Sequence, residues 1–237
     1  MTSYSKGYET FKEGVIACIP TILGYLGIGI AAGVVGKSSG LSIWIVVLMS
    51  IIVYGGSSQF IITGMLVTGT PISAIIFTTF LVNLRHFLMS FSVSEYFNLL
   101  SIPKSIGIGT LLTDESYGVL MTAVSNKKAV SFEWTTGLNI TAYLTWIFST
   151  WLGAVLGNLI PDPDLIGLDY ALVAMFIGLI ILQIEYPIKN KTGQTLLILG
   201  TVVFSLYLLS HLISKEMSVL IATLIGCGVG VVTDGKR

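Results

Sequence analysis

Long apolar blocks run through this chain, and its polar positions gather at the block ends and, in three places, near block centres. The blocks cover roughly residues 15–35, 42–67, 72–94, 106–125, 134–160, 169–185, 194–213 and 217–233. A helix needs about 20 mostly apolar residues to cross a bilayer. The pattern therefore predicts an all-α integral membrane protein, a polytopic helical bundle of about eight spans. A β-barrel would show alternating segments of about ten residues, and the chain has none of that pattern. The first block is long for the core of a signal peptide and is followed by no clear cleavage site, so it reads as a retained span.

The three interruptions are Tyr54-Gly55-Gly56-Ser57-Ser58-Gln59, Asn83-Leu84-Arg85-His86 and Thr113-Asp114-Glu115-Ser116-Tyr117. A charge at mid-depth costs roughly 2.5–3.5 kcal/mol on insertion scales. Arg85, Asp114 and Glu115 at that depth point to a polar site inside the membrane, and so to transport. The 237 residues leave no stretch for a soluble domain and read as one transmembrane transporter domain.

Composition sharpens the picture. Hydrophobic residues make up 54% and charged residues 10%, against about 25% charged in soluble domains. The formal net charge is zero, so no basic surface argues for nucleic acid. Lysine and arginine set the orientation. With the N-terminus in the cytoplasm, Lys6, Lys12, Lys127, Lys128, Lys189, Lys191, Lys236 and Arg237 fall inside, against Lys37, Lys104 and Lys215 outside. Both termini are then cytoplasmic, and the acidic loop at 161–164 lies outside. Cys18 and Cys227 read as small packing residues.

Each cluster has its own chemistry. Adjacent Gly55 and Gly56 weaken a helix by about 1 kcal/mol each, which predicts a broken second helix restarting at Gln59 behind a serine N-cap. Unwound backbone in a membrane is tolerated where it is buried in protein or lines a cavity. The restarted half-helix offers free N–H groups to a substrate carboxylate; a plain kink is the alternative. Asn83 and His86 share a helix face while Arg85 points largely elsewhere. Arg85 either binds the substrate carboxylate or pairs with Asp114 or Glu115. His86 is a proton relay or a hydrogen-bonded core residue. Adjacent Asp114 and Glu115 cannot both ionise cheaply: either Arg85 neutralises one and the other takes a proton or an ammonium group, or the two face a loop cavity and merely cap helices.

The patterns Gly29-x3-Gly33, Gly153-x3-Gly157 and Gly226-x3-Gly230 permit close helix approach, within the chain or with a partner. Trp134 suits an interfacial belt, Trp146 and Trp151 are lipid-facing or packed, and Asn139 is a candidate interhelical hydrogen bond. His211 reads as interfacial, and Glu185 as a solvated helix end. Ser57 or Ser58 with His86 does not make a protease, because no glycine-x-serine-glycine signature is present. His86, Asp114 and Glu115 lack the spaced histidine pair of a metal site. No enzyme activity, metal or cofactor is expected.

At these residues the chain resembles the AzlC family, the large subunits of branched-chain amino acid exporters. The resemblance rests on Pro20-x3-Gly24-Tyr25-x-Gly27-x-Gly29, Tyr54-Gly55-Gly56-Ser57-Ser58-Gln59-Phe60, Asn83-Leu84-Arg85-His86 and Leu112-Thr113-Asp114-Glu115-x-Tyr117, in that order and spacing. It covers about the first 120 residues, and Phe87-Leu88-Met89 departs from a pattern in which tyrosine often follows the histidine. The resemblance implies proton-driven export of valine, leucine, isoleucine and related amino acids from a bacterial cytoplasm, together with a small AzlD-type membrane subunit. The residues themselves assign substrate binding to Gly55, Gly56, Ser57, Ser58, Gln59, Asn83 and Arg85. They assign proton coupling or ammonium binding to Asp114, Glu115 and His86. A passive channel or a carrier for another small polar or anionic solute fits the same pattern, as does a chain active only with its partner.

Overall fold

The computed structural model describes residues 9–125, 129–159, 191–213 and 215–234, with residues 170, 173, 174, 177, 180, 181, 184 and 188. The described residues are helical almost throughout. They divide into two compact units, Met1–Ile177 and Gly178–Arg237. The block expected over 169–185 falls largely outside the described residues, and the loop at 161–164 and Glu185 fall entirely outside them.

The first unit begins with α1 (Phe11–Ala17), started by a reciprocal cap between Thr10 and Glu13. Pro20 stands in the first turn of α2 (Ile19–Ser38), where its missing N–H is no loss. Cys18, at the joint, is buried. α8 (Phe132–Leu156) lies alongside both helices and runs in the same direction. The contact is backbone on backbone. A Cβ added to Gly33 would sit 2.2 Å from the Thr150 carbonyl oxygen, and one added to Gly153 would sit 2.1 Å from that of Ile30. The glycine patterns in α2 and α8 are therefore internal packing surfaces. Trp134 is buried rather than interfacial, because α1 covers it, and Trp146 is buried while Trp151 is partly exposed.

Between α2 and α8 lie α3 (Ile43–Ile52), α4 (Gly56–Val67), α5 (Ile72–Ser94), α6 (Ile102–Thr110) and α7 (Asp114–Ser125). α3 runs against α2 and α8: Val46 faces Gly36, and Ser50 meets Thr150. α4 turns back. Ser57 meets Arg85 and Ser58 meets Asn83, so rising numbers on α4 meet falling numbers on α5. The join Thr68–Pro71 reaches at most about 18 Å, which keeps the end of α4 beside the start of α5. α5 crosses in full. α6 runs parallel to α8, with Lys104 over the Phe132 ring at 4.8 Å and Asn139 Nδ2 donating to the Ile108 carbonyl. α7 then returns: Asp114 meets Arg85 and Tyr117 meets Ser92, so it runs parallel to α5 and against α6.

The second helix is thus broken as the glycines predict, and its halves form a re-entrant hairpin. The block at 106–125, read from sequence as one continuous crossing, is a second hairpin entering from the opposite end. Ten or so residues reach about 15 Å, half of a hydrocarbon core of roughly 30 Å. Each pair of half-helices therefore has the apolar length of one crossing, while neither half is long enough to span by itself. Lys104 consequently lies at the end where α1 and α8 begin, not opposite it as the crossing count placed it.

Among the described residues, Ile19–Ser38, Ile72–Phe97 and Thr192–Leu209 are long and apolar enough to cross a membrane by themselves. The last is α9, in the second unit. It packs on α10 (Lys215–Asp234), where a Cβ on Gly226 would meet Val202 Cγ2 at 2.3 Å and Gln194 Nε2 donates to Thr233 Oγ1 at 3.0 Å. His211 is exposed at the end of α9, with Nδ1 2.8 Å from the Tyr207 carbonyl oxygen.

Candidate functional site

The two hairpin tips meet, and local sequence explains each. In the first, Tyr54 takes φ +42° and Gly55 is extended at φ −151°. α4 starts at Gly56 with Gly55 as its N-cap and no side-chain cap. That is three residues earlier than a serine cap would give, because both serine hydroxyls are used elsewhere. Ser57 Oγ accepts from Arg85 Nη2 at 2.7 Å, and Ser58 Oγ donates to Asn83 Oδ1 at 2.5 Å. In the second tip, Thr113 and Ser116 cap reciprocally: Thr113 N donates to Ser116 Oγ at 3.0 Å, and Ser116 N to Thr113 Oγ1 at 3.4 Å. Asp114 and Glu115 fill the first turn of α7, where carboxylates suit the positive dipole end. A cap residue followed by two acids is a sequence signal for a helix start, and it marks this break.

The cavity between the tips is lined by Tyr54, Gly55 and Gly56 from one hairpin and Thr113 and Glu115 from the other, with Arg85, His86 and Trp146 among the remaining walls. It leaves about 10 Å³ for the centre of a water-sized sphere, about what one water needs. Asn83 stands just behind Gly55, 3.3 Å from the position of a Cβ there, and His86 Cε1 is 3.4 Å from the same point. Arg85 does not point away from its neighbours: its long side chain reaches back so that Asn83, Arg85 and His86 all converge on the tips.

The two acids part company. Arg85 Nη1 lies 3.1 Å from Asp114 Oδ2, with the two side chains 26% and 13% exposed. Glu115 instead accepts from the Tyr25 hydroxyl, with Oε2 at 2.8 Å, and Tyr25 is also 2.7 Å from Thr113 Oγ1. Arg85 is therefore tied to both hairpins, while Glu115 faces tyrosine. Gln59 sits behind the first tip, accepting from Trp146 Nε1 at 2.6 Å and donating to Ser50 Oγ at 2.8 Å. Tyr25, Tyr54, Thr113 and Trp146 are the wall residues that the site assignment from sequence omits. Tyr25 and Tyr54 already stand in the quoted motifs, but an aromatic side chain in an apolar span carries no local sign that its hydroxyl faces a cavity.

The AzlC family model, described as AzlC protein, matches residues 20–160, more than half of the chain, including both hairpins and α8. An inner membrane protein of Escherichia coli, YgaZ, is 30% identical over 64% of this chain and 63% of its own length. An uncharacterised membrane protein of Archaeoglobus fulgidus is 30% identical over 76% of this chain and 78% of its own. The branched-chain amino acid transport protein AzlC of Bacillus subtilis is 28% identical over 88% of this chain and 80% of its own. No solved structure matches. With the helical apolar fold, the polar site at the hairpin tips and a family match spanning both, the chain belongs to the AzlC family and is a membrane transport protein.

Proposed function

We propose that this chain is a secondary transporter that exports branched-chain amino acids across the cytoplasmic membrane, coupled to protons and acting with a small AzlD-type membrane subunit. The observation that carries the reading is the division of charge at the tips. Arg85 pairs with Asp114, which leaves Glu115 facing tyrosine beside the uncapped start of α4. The α4 start, from Gly55 to Ser58, is the carboxylate seat, with Gln59 holding its far side and Asn83 and Arg85 bracing its serines. Glu115 is the group that holds either the ammonium head or a proton, and His86, on the wall of the same cavity, is the relay. Asp114 keeps Arg85 neutralised. A zwitterion is larger than the present cavity, so loading requires the tips to separate. Alternating access then moves one hairpin against the other around a mid-depth site.

The whole chain acts as one transporter domain in this scheme, with both termini cytoplasmic. Placing Lys104 at the same end as Lys12 supports that orientation by the positive-inside rule. The name of the Bacillus subtilis relative supports the substrate class.

The test is efflux of labelled valine and leucine from preloaded cells that lack their own exporters, with and without the small subunit and a protonophore. Saturable, protonophore-sensitive efflux that disappears in Glu115→Gln and in Asp114→Asn is the expected outcome. Efflux surviving both substitutions sinks the site, and linear flux without counterflow replaces the carrier with a channel.

A further inference from the structure

Tyr54 carries two anomalies at once. Its backbone is left-handed, at φ +42°, a conformation that a bulky side chain adopts only when its surroundings impose it. Its hydroxyl is buried, with 7% of the residue exposed, and has no hydrogen-bond partner. Folded proteins leave few buried hydroxyls in that condition. The side chain lines the cavity between the tips, and its electrostatic neighbours include Glu115, Tyr25 and Thr113.

Those residues form an oxygen-rich wall. Tyr25 already bridges Thr113 Oγ1 and Glu115 Oε2, and Tyr54 adds a third hydroxyl to the one carboxylate. The guanidinium of Arg85 is directed at Asp114 and Ser57 instead. The hydroxyls of Tyr25 and Thr113 lie beside that of Tyr54, but neither makes a well-formed hydrogen bond with it. A group placed between them would satisfy it. The cavity, at about 10 Å³ for the centre of a water-sized sphere, suits one compact group. Hydroxyl and carboxylate oxygens ligate hard cations and accept from ammonium N–H groups.

We propose that Glu115, Tyr25, Thr113 and Tyr54 form a subsite for one compact monovalent cation, the ammonium head of the transported substrate or a free sodium ion. Tyr54 is the ligand that completes it. The inference rests on the reading of Glu115 given above and adds the residues and the charge class that the site selects.

The experiment uses the full chain in lipid nanodiscs. Thermal unfolding is followed by tryptophan fluorescence at constant ionic strength, with sodium, ethylammonium or tetramethylammonium chloride. Sodium or ethylammonium should stabilise saturably, and the wider tetramethylammonium should not. Saturation by sodium shows that the subsite takes a free cation, and saturation by ethylammonium alone identifies the substrate amine. Tyr54→Phe should weaken the apparent affinity about tenfold, the size expected for one hydrogen bond to a charged group. Tyr25→Phe should weaken it similarly, Glu115→Gln should abolish it, and Tyr96→Phe, at an exposed position, should leave it unchanged. Unaltered affinity in both Tyr54→Phe and Tyr25→Phe overturns the subsite, as does stabilisation by neither cation. Valine efflux is scored separately. Efflux absent with the cation response intact sinks the substrate reading alone, and normal efflux in Tyr54→Phe with an unchanged cation response sinks the subsite alone.

Discussion

The two re-entrant hairpins have the same plan and different anchoring. Behind the first tip, Trp146, Gln59, Ser50 and Thr150 form a buried chain of hydrogen bonds that ties both α3 and α4 to α8. Beside the second, α6 and α8 flank a half-open apolar groove of about 330 Å³, lined by Pro103, Gly107, Ile108, Leu111 and Asn139, with Pro103 and Gly107 exposed. Asn139 is 1% exposed and uses only its amide N–H, toward Ile108, while its carbonyl oxygen has no partner. A satisfied buried polar network fixes a geometry, whereas an open groove and a half-used amide leave room for another one. The difference teaches that hairpins of equal length can divide the labour. The α3–α4 hairpin belongs to the scaffold, and the α6–α7 hairpin is the element free to move.

The sharpest way to break this contrast is to cut both anchors. Gln59→Leu strands the Trp146 N–H in the interior, at a cost of about 1–3 kcal/mol, and takes from the Ser50 hydroxyl one of its three partners. Asn139→Leu strands the Ile108 carbonyl but also removes an already unpartnered oxygen, so its cost should be smaller, about 1 kcal/mol. Thermal unfolding in nanodiscs should show a larger drop for the first than for the second. Equal losses would erase the distinction.

Arg85 joins the two hairpins, and its pairing gives a second test. Asp114→Leu alone leaves a partly buried guanidinium without its carboxylate and should destabilise by roughly 3 kcal/mol. Adding Arg85→Met should recover most of that loss, since a buried ion pair replaced by apolar residues is often neutral. Efflux should stay absent in the double variant. Recovered transport would mean that the pair serves folding only.

The smallest effect on stability is expected from filling the groove beside the second hairpin. Nothing lies within 4 Å of a Cβ built on Gly107, so Gly107→Phe should fit and raise the unfolding temperature slightly. Efflux should nevertheless fall, because the filled space no longer admits the moving hairpin. Full transport in a stabilised Gly107→Phe protein would return mobility to the first hairpin or to both.

The break at Gly55 was legible because two glycines and a following polar run interrupt an apolar block. The break at Leu111–Thr113 has no glycine at its centre. Its sign is the cap Thr113 followed by Asp114 and Glu115, which reads equally as a charged patch in one crossing. The three polar clusters name most of the cavity, since charges at mid-depth are costly and stand out. Tyr25, Tyr54 and Trp146 do not stand out, because an aromatic residue is at home in any span.

Sequence by itself determined the class of this protein, its family and the three clusters that meet. Each of these follows from what a residue costs at a given depth, a property of the residue and its neighbours along the chain. Only the tertiary structure decided that the blocks at 42–67 and 106–125 fold back, and that Arg85 takes Asp114 and leaves Glu115 to Tyr25. Hydropathy records depth but not direction, so two half-helices and one crossing look alike. Which of two adjacent carboxylates meets a cation is settled by the rotation of a helix and the reach of one side chain, and those exist only after the helices have packed.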